Sequence, residues 1–316
     1  MTREYLDFEE PISLLEKQVF DLESADNLSP EDIASQIKLL NKSIIETTQE
    51  IYRKLTPWQC VQLARHPSRP HFLDYIEKIF EDFDELRGDR HFSDDRALLG
   101  GLARIGGYPV MVIGHEKGRS TEEKIKHNFG MSQPEGYRKA CRLMKLAERF
   151  NLPVVTLIDT PGAYPGIDSE ERGQSEAIAY NLKVMSSLKT PIIVNIVGEG
   201  GSGGALALGV GDHINMMEHA TYSVASPEAC ASIVWRDSAM AAEAAEAMKL
   251  SAENILELQL IDEIIKEPLG GAHRNYDQAS LKIKDSIIKN LDRITQIPLN
   301  QLVEQRYERL MSYGAL

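Results

Sequence analysis

Cysteine is scarce: only Cys60, Cys141 and Cys230 occur in a chain of 316 residues. An odd, scattered set offers no disulfide framework, and no paired cysteines to hold a zinc ion. Cations are the minority charge, with 35 Lys and Arg against 48 Asp and Glu and a formal net charge of −13. That balance argues against nucleic acid as a general partner. Long apolar runs are missing too, and nothing approaches the ~18 residues that a membrane span requires. The opening segment, MTREYLDFEEPISLLEKQVF, carries acids where a signal peptide needs basic and then apolar residues. A cytoplasmic chain with no metal of its own is expected. What is present is ordinary for a globular protein, 42% hydrophobic and 26% charged. Wholesale disorder is excluded. The length suits one large α/β domain, or a domain of ~250 residues with a smaller piece.

Charge is unevenly placed. Residues 1–50 hold 4 basic and 12 acidic side chains, whereas residues 111–150 hold 9 basic and 5 acidic. The basic island includes His115, Lys117, Arg119, Lys124, Lys126 and His127. It follows an apolar strand pattern. Lys117 and Arg119 are therefore expected within reach of an anionic ligand, the alternative being a solvated face.

Ile12, Leu15, Val19 and Leu22 form one helical stripe. Ser29-Pro30-Glu31-Asp32 reads as a second helix start. The stripe that follows runs from Ile33 through Ile37, Leu40, Ile44, Thr47 and Ile51 to Leu55, nearly a coiled-coil seam. Residues 1–56 thus predict a helical hairpin that packs on the main body or on another chain. Residues 72–86 predict a further helix. Ala97–Ile105 and Tyr108–Gly114 read as strands joined by Gly106-Gly107. Helices follow at 134–150 and 169–188, and buried strands at Pro153–Asp159 and Pro191–Val197. A short strand is expected near Tyr222, then helix at 227 and over 240–267, then a helical tail broken at Pro298. The strand–helix alternation implies an α/β fold with a largely parallel sheet. Its ligands belong beyond the carboxyl ends of the strands. The domain reading is 1–56, a main body at 57–295 and a tail at 296–316.

Two loops carry the chemistry. Gly198-Glu199-Gly200-Gly201-Ser202-Gly203-Gly204-Ala205 follows a buried strand and opens an apolar helix. Its unpaired first-turn amides suit an anion or a developing oxyanion. Gly198, Gly200 and Gly203 also fit G-x-G-x-x-G, but far from the first strand that normally carries it. Gly200 to Gly204 fit G-x-S-x-G around Ser202, with His213, His219 and His273 downstream. The third reading is a backbone oxyanion hole with no side-chain nucleophile. The second loop, Asp159-Thr160-Pro161-Gly162-Ala163-Tyr164-Pro165-Gly166, contains DTPG, yet no G-x-x-x-x-G-K-[ST] phosphate loop exists to make it a GTPase switch. Ala247-Met248-Lys249-Leu250 resembles a biotinylation tetrapeptide, but it sits in a run of helix formers rather than on a β turn.

IDTPGAYPG, EERGQSEAIA, GEGGSGGALALGVGD, SPEACASI, EPLGGAHRN and RLMSYG, with LDFE-P and ARHPSRP, resemble the α-subunit family of bacterial acetyl-coenzyme A carboxylase carboxyltransferases. The resemblance covers essentially the whole chain. It implies the crotonase-like superfold of ββα units. It implies an α2β2 heterotetramer in which a zinc-bearing β subunit supplies most of the CoA site. The implied reaction moves a carboxyl group to acetyl-CoA, giving malonyl-CoA for fatty acid synthesis. The biotin is carried on a separate carrier protein, the biotin carboxyl carrier protein, and a biotin carboxylase completes the wider complex. By the same resemblance Gly203, Gly204 and Ala205 supply the oxyanion hole for biotin. Gly200, Gly201, Gly162, Ala163, Tyr164, Lys117 and Arg119 are the expected substrate-binding positions.

Overall fold

The computed structural model describes residues 4–24 and 29–314. It opens with the expected hairpin, α1 (Glu10–Glu23) and α2 (Pro30–Tyr52). The Ser29 hydroxyl accepts the Asp32 N–H at 3.2 Å, and Pro30 fills a first-turn position that needs no donor. The stripe from Ile33 to Leu55 is half-buried, because α2 packs chiefly on α1. The base of the hairpin reaches the body in the same chain. Tyr52 donates to Glu9 at 2.9 Å and meets the His219 ring edge-on, and Arg274 reaches Glu9 at 3.4 Å and Glu16 at 3.3 Å.

Next come α3 (Pro57–Ala64) and α4 (Phe72–Ile79). The helix expected over 72–86 stops at Ile79, and Glu81–Glu85 is a strand, β1. The register of β1 slips between Glu81 and Asp84, where Asp82 has φ +54°. That bulge adds a residue, so Phe80 and Phe83 both reach the core at a helix-like spacing of three. β2 (Leu98–Ile105) and β3 (Tyr108–His115) form the predicted hairpin. Gly106 and Gly107 turn it with φ of +55° and +86°, which a two-residue primed turn requires.

The alternating part contains α5 (Thr121–Lys126), α6 (Pro134–Arg149), β4 (Val154–Thr160), α7 (Ile167–Glu171) and α8 (Gln174–Ser187). It continues through β5 (Ile192–Gly201), α9 (Ser202–Leu206), β6 (His213–Met217) and β7 (Thr221–Ser223). Then come α10 (Pro227–Val234), α11 (Ala241–Met248), α12 (Ala252–Glu257), β8 (Glu263–Ile265), α13 (Tyr276–Ile294) and α14 (Leu299–Ser312). Several expectations need correction. The helix over 169–188 is two helices, parted at Gly173 with φ +85°. The helix over 240–267 is two short helices and a strand. Lys249 ends α11 in a left-handed conformation rather than lying within the helix.

The strands make one sheet in the order β1-β2-β3-β4-β5-β6-β8, with β7 pairing beside β6 on the extended end of β5. β1 to β3 are antiparallel, and β3 onward is parallel. Every residue of β4 and β5 is buried, as expected for central parallel strands. α6 packs on β2, β3 and α8, while α13 packs on α4, β5 and β8. The tail closes on α8 through buried Leu302 and Arg306. The carboxyl ends of β3, β4 and β5 therefore lie side by side, and both Gly/Pro loops leave from there.

Candidate active site

The strand ends bring the two loops together more tightly than the sequence suggests. β5 does not stop at Val197. It runs through Gly198-Glu199-Gly200-Gly201 to pair with Thr160 and with Thr221 to Ser223, and only then does α9 begin. Its glycines answer to close approach. A Cβ on Gly198 would strike the Asp159 carboxylate, and one on Gly201 the Pro161 carbonyl. One on Gly200 would come within 2.8 Å of the Tyr222 ring, and one on Gly204 within 2.7 Å of the Gly162 carbonyl carbon. Gly203 has room, with only the Ile178 side chain at 3.4 Å. Strand–loop packing thus requires four of the five glycines.

The result is a wall of backbone. Gly162 and Ala163 face Gly201 to Gly204 across the β4–β5 seam, and Tyr164 follows them in the loop. The Thr160 hydroxyl accepts the Gly162 N–H at 3.1 Å and lies 2.7 Å from the Gly130 carbonyl. Tyr164 is tied by its N–H to the Ser132 carbonyl, and by its carbonyl to the Gln174 amide. With Gly201 as the cap of α9, the N–H groups of Ser202, Gly203 and Gly204 have no acceptor within the helix. Ala205 lies one position further and is fully buried. Ser202 and Gly203 are half-buried, whereas Gly204 is buried.

Ser202 has φ +51°, a left-handed conformation uncommon for a residue with a Cβ. The three histidines that follow it are engaged elsewhere. His213 bonds Asn215 at 3.0 Å, the His219 ring meets Tyr52 edge-on while its backbone N–H donates to Glu267, and His273 stacks on His66 with centroids 4.0 Å apart. Among the described residues none of the three is hydrogen-bonded to Ser202, so no nucleophile–base pair forms.

Two cations of the basic island, Lys117 and Arg119, are held by the protein itself. Lys117 turns inward, and its Nζ sits 2.6 Å from Asp159 Oδ1 and 2.8 Å from Glu199 Oε2. Burial opposes its charge, but the two carboxylates hold it above its ordinary range. Glu199 Oε1 takes Arg65 Nε at 2.6 Å, and Arg65 continues to Glu228. Glu199 is correspondingly held below the usual carboxylate range, against its burial, by Lys117 and Arg65. Arg119 pairs with Asp74, donates to the Pro67 and Arg69 carbonyls and covers the Tyr276 ring. Lys117 and Arg119 are expected within reach of an anionic ligand; in this geometry Lys117 already pairs with two carboxylates and Arg119 with one. His115 is buried without a partner for either ring nitrogen.

Sequence reasoning missed Asp159, Glu199 and Arg65 as a network. It also missed the left-handed run Asn128-Phe129-Gly130, which holds the exposed Phe129 ring at the rim of a cavity of about 320 Å³ beside Lys117, Asp159 and Glu199. Glu9, His66 and His273 form the one cluster with metal-ligand composition among the described residues. Its two rings lie nearly parallel and stacked, so a shared ion would stand outside at least one ring plane. Among the described residues no helix is long and apolar enough to cross a membrane.

Residues 5–314 match the family model described as acetyl co-enzyme A carboxylase carboxyltransferase-like. The chain is 56% identical over 315 residues to the acetyl-coenzyme A carboxylase carboxyl transferase subunit alpha of Chromohalobacter salexigens, covering 100% of this chain and 99% of that protein. To the Alcanivorax borkumensis protein of the same description it is 57% identical over 314 residues, 99% of this chain and 97% of that one. Among solved structures it is similar to transcarboxylase 12S with methylmalonyl-coenzyme A and methylmalonic acid bound, with a TM-score of 0.59 and 19% identity over 72% of this chain. The β subunit of Pseudomonas aeruginosa geranyl-CoA carboxylase gives a TM-score of 0.55 and 16% identity over 75% of this chain. The chain spans 42% and 45% of the length of those two solved chains. At that identity the likeness is one of fold: the α/β crotonase-like architecture.

Proposed function

Because the chain belongs to the acetyl co-enzyme A carboxylase carboxyltransferase family, we propose that it acts as the α-type half of a biotin-dependent carboxyltransferase. Together with a β-type subunit, in an α2β2 assembly, it moves the carboxyl group from carboxybiotin to acetyl-CoA, giving malonyl-CoA. A separate biotin carboxyl carrier protein brings the biotin, and a biotin carboxylase reloads it. The observation that carries this reading is the backbone wall at the ends of β4 and β5, which presents the first-turn amides of α9.

Carboxybiotin supplies carbon dioxide and a ureido nitrogen able to take the methyl proton of acetyl-CoA. The chain's own part is electrostatic. The amides of Gly203 and Gly204, with Ala205 behind them, face the ureido oxygen and hold the charge that develops there. Such donors act strongly where water is excluded and need no reorganisation during reaction. Gly200, Gly201, Gly162, Ala163 and Tyr164 shape the wall on which the ligand rests. No side-chain base is demanded of this chain. The α-type subunit supplies one wall, and exposed apolar side chains follow its loop and β7, Ile167 at 80% and Val224 at 82% exposed. They suit a covering β-type subunit, which brings the second oxyanion hole and the CoA contacts.

Reconstitution tests the proposal. The chain is mixed with a β-type subunit, carboxylated carrier protein and acetyl-CoA, and malonyl-CoA is followed. Activity only with both subunits is expected. Transfer by the chain alone, or none with a folded β partner, overturns it.

A further inference from the structure

Three parallel strands each carry one charged side chain to the same point. Lys117 stands two residues beyond β3, Asp159 lies near the end of β4, and Glu199 lies in the extended end of β5. Resting on the functional reading above, we propose that Lys117 is a positioning residue for the transfer, a clamp that sets where the glycine strand lies. It touches no substrate in this role. Its ammonium pairs with two buried carboxylates at once, at 2.6 and 2.8 Å, and Arg65 supplies the second positive charge on Glu199. Those carboxylates in turn fix the backbone. Asp159 Oδ1 accepts the Glu199 N–H at 2.9 Å, which joins β4 to the first glycines of the wall. Gly198 has no side chain because Asp159 occupies that space, and Gly130 has none because the Lys117 stem occupies it. The geometry is complete only while the charges balance.

The surrounding charges do not replace Lys117. Arg65, from α3, holds the other oxygen of Glu199 and is shared with Glu228 of α10. Arg69 acts on Asp159 from a distance but is committed to Glu267 at 2.6 Å, and Tyr75 is a neutral phenol there. His115 lies behind Lys117 and is held uncharged by burial. Removing the ammonium leaves Asp159 and Glu199 facing each other with 3% and 12% of their side chains exposed. Such a pair relieves its repulsion when one carboxylate takes up a proton that the other then accepts as a hydrogen bond. The amides of 198–204 then lose their fixed position at high pH and partly regain it as pH falls.

The test uses the assembled α–β enzyme with Lys117→Met. The expected loss in kcat is ~10²-fold, comparable to losing one oxyanion donor, with KM for acetyl-CoA changed less than ~3-fold. The defect shrinks as pH is lowered, whereas the wild type shows no such gain. Lys117→Met/Glu199→Gln, which removes one charge of each sign, recovers most of the activity, and Lys117→Arg recovers part. If Lys117→Met fails to fold, the double variant carries the test. Hydrogen exchange of the 198–204 amides is faster in Lys117→Met than in wild type. A kcat within ~3-fold of wild type, or an additive further loss on adding Glu199→Gln, overturns the proposal. If the wild-type assembly makes no malonyl-CoA, the functional reading fails by itself. The clamp is then decided by exchange, and unchanged protection of 198–204 refutes it.

Discussion

Gly204 faces Gly162 so closely that a Cβ on Gly204 would lie 2.7 Å from the Gly162 carbonyl carbon and 2.8 Å from the Ala163 nitrogen. The contact is backbone against backbone, with no flexible side chain to yield. Gly204→Ala is therefore expected to lower unfolding stability by ~1–3 kcal/mol, the usual cost of forced overpacking. Activity falls with it, because both loops shift. Gly203→Ala, with only Ile178 near its new methyl group, should leave the melting temperature within a degree or two. Paired thermal melts and turnover decide this. Equal stability of the two variants would show that the loops do not hold each other.

Ser202 invites a second check. Its positive φ is a feature of strained nucleophile turns, yet among the described residues none of His213, His219 and His273 is hydrogen-bonded to it. Ser202→Ala is expected to keep activity within ~10-fold, since the proposed donors are the Gly203 and Gly204 amides and not the Ser202 hydroxyl. Covalent labelling by a fluorophosphonate, or a loss of several orders of magnitude, would restore the hydrolase reading.

Much of this site is legible in the sequence, and what is not has physical causes. The strand cores β4 and β5, the Gly106-Gly107 turn and the Ser29 cap follow from apolar runs and turn chemistry. β6 and β8 escape because they are five and three residues long and borrow their burial from neighbours. β1 escapes because the bulge at Asp82 imitates helical spacing. The glycines read as ligand contacts, whereas Asp159, Pro161 and Tyr222 explain them as packing, and those partners lie as far as 40 residues away in sequence. A signal for the Lys117 clamp does exist: one charged residue closes each of three successive apolar strands. It becomes readable once those strands are taken as adjacent and parallel.

Arg119 tests the fate of the basic island. Its guanidinium is held by Asp74 and by the Pro67 and Arg69 carbonyls, over the Tyr276 ring. Arg119→Ala should therefore leave KM for both substrates unchanged at low and high ionic strength, while protection of the 67–74 backbone weakens. A KM increase that narrows with salt would place an anion on Arg119 instead.

Acid stability carries a further prediction. Burial, aided by the charge of Lys117, holds His115 at about 3 when folded, against 6.5 ordinarily. His273 falls to about 2, through burial and then the neighbouring His66. Below pH 6.5 the unfolded chain binds protons that these folded imidazoles refuse. Each therefore removes stability as pH falls from 6.5 towards 3, at up to ~1.4 kcal/mol per pH unit. Above pH 7 neither matters. His115→Leu should flatten the acid limb by up to one proton and be nearly neutral at pH 7.5, because neither ring nitrogen loses a hydrogen bond. Urea unfolding between pH 5 and 8 measures the slope, and an unchanged slope would contradict the buried neutral ring.

The tail offers the largest expected effect on stability. Arg306 of α14 is fully buried and grips Asp212 with two bonds, Nε to Oδ1 at 2.8 Å and Nη2 to Oδ2 at 2.7 Å. Its remaining donors reach the carbonyls of Met185, Leu188 and Thr190 at 2.7 to 3.0 Å, so one side chain closes the turn between α8 and β5. Asp212 also accepts the Ile192 N–H at 2.7 Å, at the start of the strand that ends in the glycine wall. Arg306→Ala leaves a buried carboxylate and three carbonyls without their donor. A loss of ~3–5 kcal/mol is expected, the scale for removing one partner of a buried ion pair. Asp212→Asn/Arg306→Met removes both charges and should cost less than Arg306→Ala. Denaturant unfolding of the three chains measures the coupling. A loss below ~1 kcal/mol for Arg306→Ala, the range of an exposed pair, would mean that α14 does not anchor the strand carrying the site.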